Sequence, residues 1–331
     1  MSYRPTPPRV NRSRALLGLC LAVALLCGCG PAAEEAAQDD SVAAPRSAEQ
    51  AGPQASFVLV GNLAADRLDE ASGMQAGSGG VYYLHNDEGA RLFLSDAEGR
   101  DLGVVPVAAN NRDWEDITRV PGEHGPLLVV GDIGDNHGAR KRVSLYFLPE
   151  PAAADPGSPA TRPGVAVRHR LRVTYPDGPR DAESLAYDAA SGMLLILSKR
   201  DQPPRLYGVP LDLALWKQEL EAVFLGEVPG FRPPTRRDIL ASPHRGLWVS
   251  QPTGMDISPD GRQAAVITYR SNYLFERVGD ERWEEAFQRA PEEIVGPPGL
   301  HDEAVAFSAD GRSVFVTAEG RPAPLYRLDL P

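Results

Sequence analysis

The sequence predicts an all-β fold, specifically a β-propeller, on three observations: short apolar runs, a repeated unit that contains them, and an opening strand with no partner of its own. Across residues 56–331 the runs are Val81–Leu84, Leu127–Val130, Leu194–Leu197, Ala264–Thr268 and Val314–Thr317, separated by Gly, Asp, Asn and Pro. Runs this short, punctuated this often, read as strands rather than helices. Only Leu211–Val223 and Glu281–Arg289 read as short helices.

The repeated unit begins with an acidic entry into a strand: Asp69-Glu70-Ala71-Ser72-Gly73, Asp113-Trp114-Glu115-Asp116-Ile117, Asp181-Ala182-Glu183-Ser184-Leu185 and Asp302-Glu303-Ala304-Val305-Ala306. A turn follows, clearest as Ser308-Ala309-Asp310-Gly311 and repeated as Ser258-Pro259-Asp260-Gly261, in a copy where Thr253 replaces the glutamate. After the apolar run comes a third strand marked by an aromatic residue: Leu92-Phe93, Leu145-Tyr146, Leu206-Tyr207, Tyr273-Leu274-Phe275, Leu325-Tyr326. A fourth strand is visible as Leu102–Val107, Val165–Val173 and Ala222–Val228.

Five recognisable four-stranded repeats, at intervals of roughly 45 to 70 residues, match the blades of a propeller. A blade cannot bury both faces alone and must stack on neighbours. The last copy ends after its third strand at Leu330, so Phe57–Val60 is expected to complete it, closing the ring and removing its edges. The segment Asp238–Ser250 reads as a hairpin that can seed a sixth blade.

Residues 1–28 read as a leader. Arg4, Arg9, Arg12 and Arg14 precede an apolar stretch, Ala15–Leu26, that is too short to span a bilayer. Leu26-Cys27-Gly28-Cys29 resembles a bacterial lipobox, which implies that Cys29 becomes the lipidated N-terminus. Gly30 in the next position points to the outer membrane, facing the periplasm. Residues 29–55, rich in Ala, Glu, Gln, Asp, Ser and Pro, read as a disordered tether.

Cys20, Cys27 and Cys29 all lie in this region, so the mature protein has no disulfide, thiolate metal site or cysteine nucleophile within the domain. Losing the four leader arginines takes the net charge from −11 to −15, which argues against nucleic acid as a partner and against electrostatic docking on a membrane.

The segments Asn111–Ile117, Gly131-Asp132-Ile133-Gly134-Asp135-Asn136 and Thr253–Gly261 resemble a family of secreted bacterial propellers, over Leu68 to Leu330. They are more distantly similar to phytase-like, regucalcin/gluconolactonase-like and TolB-type propellers. The resemblance implies the fold and says little about activity, because one fold carries many functions.

In such a blade the entry to the first strand and the turn between second and third strands share one face. That gathers Glu70, Glu115, Glu183 and Glu303 with His85-Asn86-Asp87, Asp132 through His137, Lys199-Arg200, Tyr269-Arg270 and Glu319. The metal candidates are Glu70, Glu115, Glu183, Glu303, Asp87 and Asp132, hard-oxygen donors suited to Ca²⁺ or Mg²⁺. Lys199, Arg200, Tyr269, Arg270 and His85 are the ligand-binding candidates, the cations among them suited to an anion. The alternative is structural: the glutamates pin blade to blade through backbone N–H groups or Arg112, Arg180 and Arg237. Gly131–Asn136 reads either as a calcium loop or as ordinary turn chemistry. His85, His137 and His301 have no metal-ligand spacing. With no nucleophile elbow or phosphate-cradling loop, a serine hydrolase is excluded as a reading.

Two functions remain from the sequence: an envelope propeller that binds a protein or small ligand on its funnel face, and a divalent-cation-dependent hydrolase of phosphate esters or lactones there. A structural or assembly role that recruits an envelope partner through an acidic rim is a third. The leader generates one test: Cys29→Ala should move the protein from the membrane to the soluble fraction on cell fractionation, and retention in the membrane would refute lipidation.

Overall fold

The computed structural model describes residues 56–152, 162–243, 245–296 and 302–331; the leader, Cys29, the tether and His301 lie outside them. Five antiparallel sheets follow one another along the chain. Blade 1 is Ala71–Ala76, Tyr82–Asn86, Arg91–Ser95 and Asp101–Ala108, and blade 2 is Asp116–Val120, Leu127–Asp132, Val143–Pro149 and His169–Thr174. Blade 3 is Ala182–Asp188, Met193–Ser198, Arg205–Pro210 and Val223–Glu227, and blade 4 is Pro252–Ile257, Gln263–Thr268, Ser271–Glu276 and Glu292–Val295. Blade 5 is Asp302–Phe307, Ser313–Ala318, Pro324–Asp329 and, from the other end of the chain, Val58–Asn62. Val58 faces Arg327 and Asn62 faces Pro324, so the opening strand closes the ring as its lack of partners predicts.

The apolar runs are continuous because each blade is covered on both faces. In blade 3, Leu194 and Ile196 pack on Val129 and Phe147 of blade 2, while Leu195 and Leu197 pack on Val266 and Tyr273 of blade 4. Five buried clusters result, one in each gap between blades.

Four expectations need correction. Asp238–Ser250 is no half-blade: it holds a helix, Arg236–Ala241, capped by Thr235, followed by turns. The ring therefore has five blades. Leu211–Val223 is helical only over Leu211–Ala214, and its later part, Glu219–Glu221, adds a parallel fifth strand to the outer edge of blade 2. Val165–Val173 is likewise split: Val165–Ala166 joins blade 1 and His169–Thr174 is the fourth strand of blade 2. These last two departures let the chain between blades add backbone to an exposed outer edge. The second helix, expected over Glu281–Arg289, is confined to Trp283–Ala286.

The five inner strands converge with their free edges toward the axis, where backbone N–H groups need acceptors. Asp116 supplies several. Its Oδ2 accepts from Leu185 N of blade 3 at 2.7 Å and Met255 N of blade 4 at 3.2 Å, and its Oδ1 from Ile117 N. Asp256 Oδ2 accepts from Phe307 N of blade 5 at 2.8 Å, and Gln75 Oε1 of blade 1 from Arg119 N of blade 2 at 2.9 Å. These groups tie the inner strands together; among the entry glutamates, Glu115 Oε2 also accepts from Ser72 Oγ of blade 1 at 3.3 Å.

Among the described residues every strand lies between Val58 and Asp329 and pairs only with the others. A chain begun at Ser56 should therefore melt as the longer chain does. One begun at Leu63 exposes the edge of Pro324–Asp329 and should aggregate or melt well below it by circular dichroism; an unchanged, monomeric product would refute the closure.

Candidate functional site

A bulge builds the funnel. In blades 1, 3, 4 and 5 the inner strand skips one residue in its register, after Ala71, Ala182, Pro252 and Asp302. The skipped residues are Ser72, Glu183, Thr253 and Glu303. In blade 2 the equivalent is Glu115, whose N–H bonds the same Gly131 that Asp116 faces. A bulge re-aims the side chain it carries, and three of these five are glutamates.

The two hydroxyls take the pinning role: Ser72 Oγ donates to Glu115 O at 3.0 Å and Thr253 Oγ1 to Asp302 O at 2.6 Å. Glu70 does not belong to this series. It sits two residues before the bulge, exposed at the mouth, because the register follows Ser72 rather than the Asp-Glu pair that the sequence suggests.

The cavity has a volume of about 190 Å³ and is lined by seven carboxylates, Glu70, Asp87, Asp113, Glu115, Glu183, Glu303 and Glu319, with Ala71, Ser72, Asn136, Lys199 and Tyr269. Lys199 is the single cation among the lining residues. Its ammonium donates to Glu183 Oε1 and, at 2.8 Å, to Tyr269 OH. Glu183 is 4% exposed and its Oε2 is buried with no hydrogen-bond partner. Asp87 Oδ1 is likewise buried and unpartnered. Oxygens of Glu115, Asp181 and Glu183 lie within 4.8 Å of one another, an arrangement that can hold a metal ion. All donors are oxygen, which suits a hard divalent cation such as Ca²⁺ or Mg²⁺.

Burial, opposed by Lys199, pushes Glu183 up to about 7. Burial and then the neighbouring Glu70 raise Asp87 to about 7. Glu115 and Glu303 are held well above the usual carboxylate range, first by burial and then by repulsion from Glu183. Burial alone would lower Lys199, but Glu183, Tyr269 and Glu303 outweigh it and hold the ammonium charged.

Gly134 explains the glycine-rich loop of blade 2. A Cβ there would lie 2.1 Å from Glu115 Oε1 and 2.6 Å from Asp113 Oδ2, so only glycine lets both carboxylates crowd against this backbone.

The other candidates lie elsewhere. Asp132 is buried outside the funnel and accepts from Arg140 Nη2 at 2.6 Å, and Asp135 accepts from Arg140 N, so Arg140 occupies the loop read as a calcium site. His85 is fully buried behind the funnel wall, edge-on to Trp114, where burial lowers it to about 4. Arg200 is bound to Asp181 and Asn136 at the rim. Arg270 clamps residues 232–238 through Asp238 Oδ2 (2.6 Å) and Arg232 O. Arg180 pairs with Asp177 and Asp201 rather than with a glutamate.

The segment that Arg270 clamps stands beside the funnel, and a second cavity of about 130 Å³ is lined by its Arg245 and Trp248 with Tyr269, Glu303 and Glu319. Asp113 and Asp181 were missed in the sequence reading. The signal was present, since each stands two residues before an entry glutamate and alternation in a strand brings such pairs to one side.

No protein-family model matches this chain, and no curated protein matches it. Among solved structures, the PQQ-bound form of aldose sugar dehydrogenase (Adh) from Streptomyces coelicolor aligns over 83% of this chain and 98% of that chain, at 13% identity and a TM-score of 0.44. No residue role is carried over from it.

The raised carboxylates give a pH signature. A group with a raised folded pKa stabilises below its unfolded value, and that contribution is lost as pH rises through the folded value. For Asp87 and Glu183 the loss falls between about 4 and about 7. Without divalent cations the melting temperature should therefore be lower at pH 8 than at pH 5. Ca²⁺ should raise it more at pH 8, because a cation favours the ionised forms. Equal Ca²⁺ shifts at both values in a thermal melt would contradict the assignment.

Proposed function

We propose that the protein is a cation-binding propeller of the bacterial envelope, tethered through a lipid on Cys29 to the outer membrane and facing the periplasm. Its funnel holds one hard divalent cation of the Ca²⁺ class and presents it to a protein or small ligand. The observation that carries this reading is Glu183 Oε2, a buried carboxylate oxygen with no partner, facing oxygens of Glu115 and Asp181 in a cavity with one ammonium among seven carboxylates. A bound dication supplies the missing countercharge and the missing ligand contacts together.

Lys199, Arg200 and Arg270 are all engaged by internal acceptors, so an anionic partner group is held by such an ion together with Arg245 of the adjoining cavity. Trp248 and Tyr269, lining the adjoining cavity, offer aromatic surface for the remainder of a ligand.

Isothermal titration of the chain begun at Ser56 with CaCl₂ should give a single site. Glu183→Gln should weaken it by about 2 kcal/mol or more, the cost typical of removing one charged partner from a buried set, with the melting temperature at pH 5 little changed. No heat from the parent at pH 8 would refute the reading.

One observation favours hydrolysis as a second reading: Asp87, pushed up to about 7, lies in the range of a general base. Assays with a p-nitrophenyl phosphate ester and an aliphatic lactone, each with Ca²⁺, test it. Turnover lost in Asp87→Asn would support a hydrolase, and no turnover in the parent would leave binding as the function.

A further inference from the structure

The end of the propeller opposite the funnel carries a surface unlike the rest of this acidic chain. At that end the fourth strand of blade 2 begins, with His169 facing Phe147 near the end of the third strand. Leu171 and Val173 point into the core, while Arg168, Arg170 and Arg172 are exposed. Residues 216–218 lie against the strand: Arg172 N donates to Gln218 O at 2.9 Å, and His169 Nε2 is 2.7 Å from Lys217 O. Between them is a cleft of about 400 Å³ lined by Val167, Arg168, His169, Arg170, Arg172 and Gln218, with no carboxylate among its lining residues. Glu219 pairs with Arg142 at 2.9 Å and with Arg172 at 3.3 Å, and Glu221, two residues on in the same edge strand, is a further exposed acid near the cleft. Arg168, Arg170 and Lys217 have no carboxylate partner among the described residues.

Beside the cleft, Trp216 is 82% exposed and Leu213 is 42% exposed. An indole held out in this way contributes little to the fold, and an exposed Trp beside cations is the composition of an interfacial surface. The connectivity supplies an independent indication. Val58 faces Arg327, near the end of the third strand of blade 5, so the chain enters the propeller at this same end. The described chain therefore begins at the end bearing Trp216, and the funnel is the far end.

We propose that this rim docks on an anionic phospholipid surface: the guanidinium of Arg168 and the ammonium of Lys217 take headgroup phosphates, Arg170 being held by Ser144 Oγ over the Tyr146 ring and Arg172 by Glu219, and Trp216 and Leu213 enter the headgroup layer. The tethered domain then stands with its funnel directed away from the membrane. The inference is independent of what the funnel binds.

The test uses the chain begun at Ser56, which holds every described strand and lacks the lipid, in co-sedimentation with vesicles. Binding is expected to phosphatidylcholine vesicles containing phosphatidylglycerol, to fall with added salt, and to be absent with phosphatidylcholine alone. Arg168→Gln should weaken it about fivefold, as one cation near such a surface does, while Arg168→Lys retains it and Trp216→Ala weakens it further. Melting temperatures equal to the parent's show that the fold is kept. Because the chain is strongly acidic, binding to anionic vesicles reports a local patch. Failure to bind the phosphatidylglycerol vesicles, or binding that all three variants leave unchanged, would overturn the proposal. Calorimetric binding of inorganic phosphate without vesicle recruitment would overturn it too, in favour of a soluble-anion site.

Discussion

Everything in this structure follows from where five inner strands leave their unpaired edges. In an open sheet such edges face solvent or another chain. Here they face the axis, where no further strand pairs with them. Acceptors must come from side chains, and a carboxylate is the most economical because its two oxygens serve several N–H groups. Asp116 alone reaches the inner strands of blades 3 and 4 as well as its own, and Asp256 continues the tie to blade 5. The ring is thus locked at its centre by buried acid, and at its rim by the strand Val58–Asn62.

The funnel is the next layer outward along the axis, and it inherits the problem. The bulge that opens each inner strand turns Glu115, Glu183 and Glu303 inward beside Asp113 and Asp181. Two like charges within 4.8 Å of each other repel by about 3 kcal/mol or more at an effective dielectric of about 20. That is several times what an exposed ion pair returns. Lys199 offsets one such charge and Tyr269 orients it. The remainder is relieved either by protons, hence the raised Asp87, Glu115, Glu183 and Glu303, or by a cation. The two hydroxyl positions, Ser72 and Thr253, show how the same bulge serves structure where no charge is present.

Five blades, their order and the ring closure were legible because both-sided burial writes uninterrupted apolar runs, and a first strand without neighbours has one economical place to go; whether Asp238–Ser250 makes a sixth was not. What was not legible depends on register and on neighbours. The Asp238–Ser250 segment has the strand-like Gly-Leu-Trp-Val, yet it pairs with no sheet, and Thr235 caps a helix instead. The run from Leu211 reads as helical, yet Glu219–Glu221 is drawn onto an open edge of blade 2. Glu70 looks equivalent to Glu115 until the bulge is placed at Ser72. Asp132 and Glu183 look alike as acids in a row, and both form buried ion pairs, with Arg140 and Lys199; what separates them is that Glu183 lines the funnel and keeps one oxygen without a partner, whereas Asp132 lies outside it.

The account stands on a cation at the centre of that funnel. Crystals of the chain begun at Ser56, grown with Tb³⁺ in place of Ca²⁺ and measured at a terbium absorption edge, test it most directly. An anomalous peak between the carboxylates of Glu115, Asp181 and Glu183, absent in crystals of Glu183→Gln, is the expected result. A map without a peak in the funnel, with Lys199 and protonated carboxylates filling the same space, would contradict it.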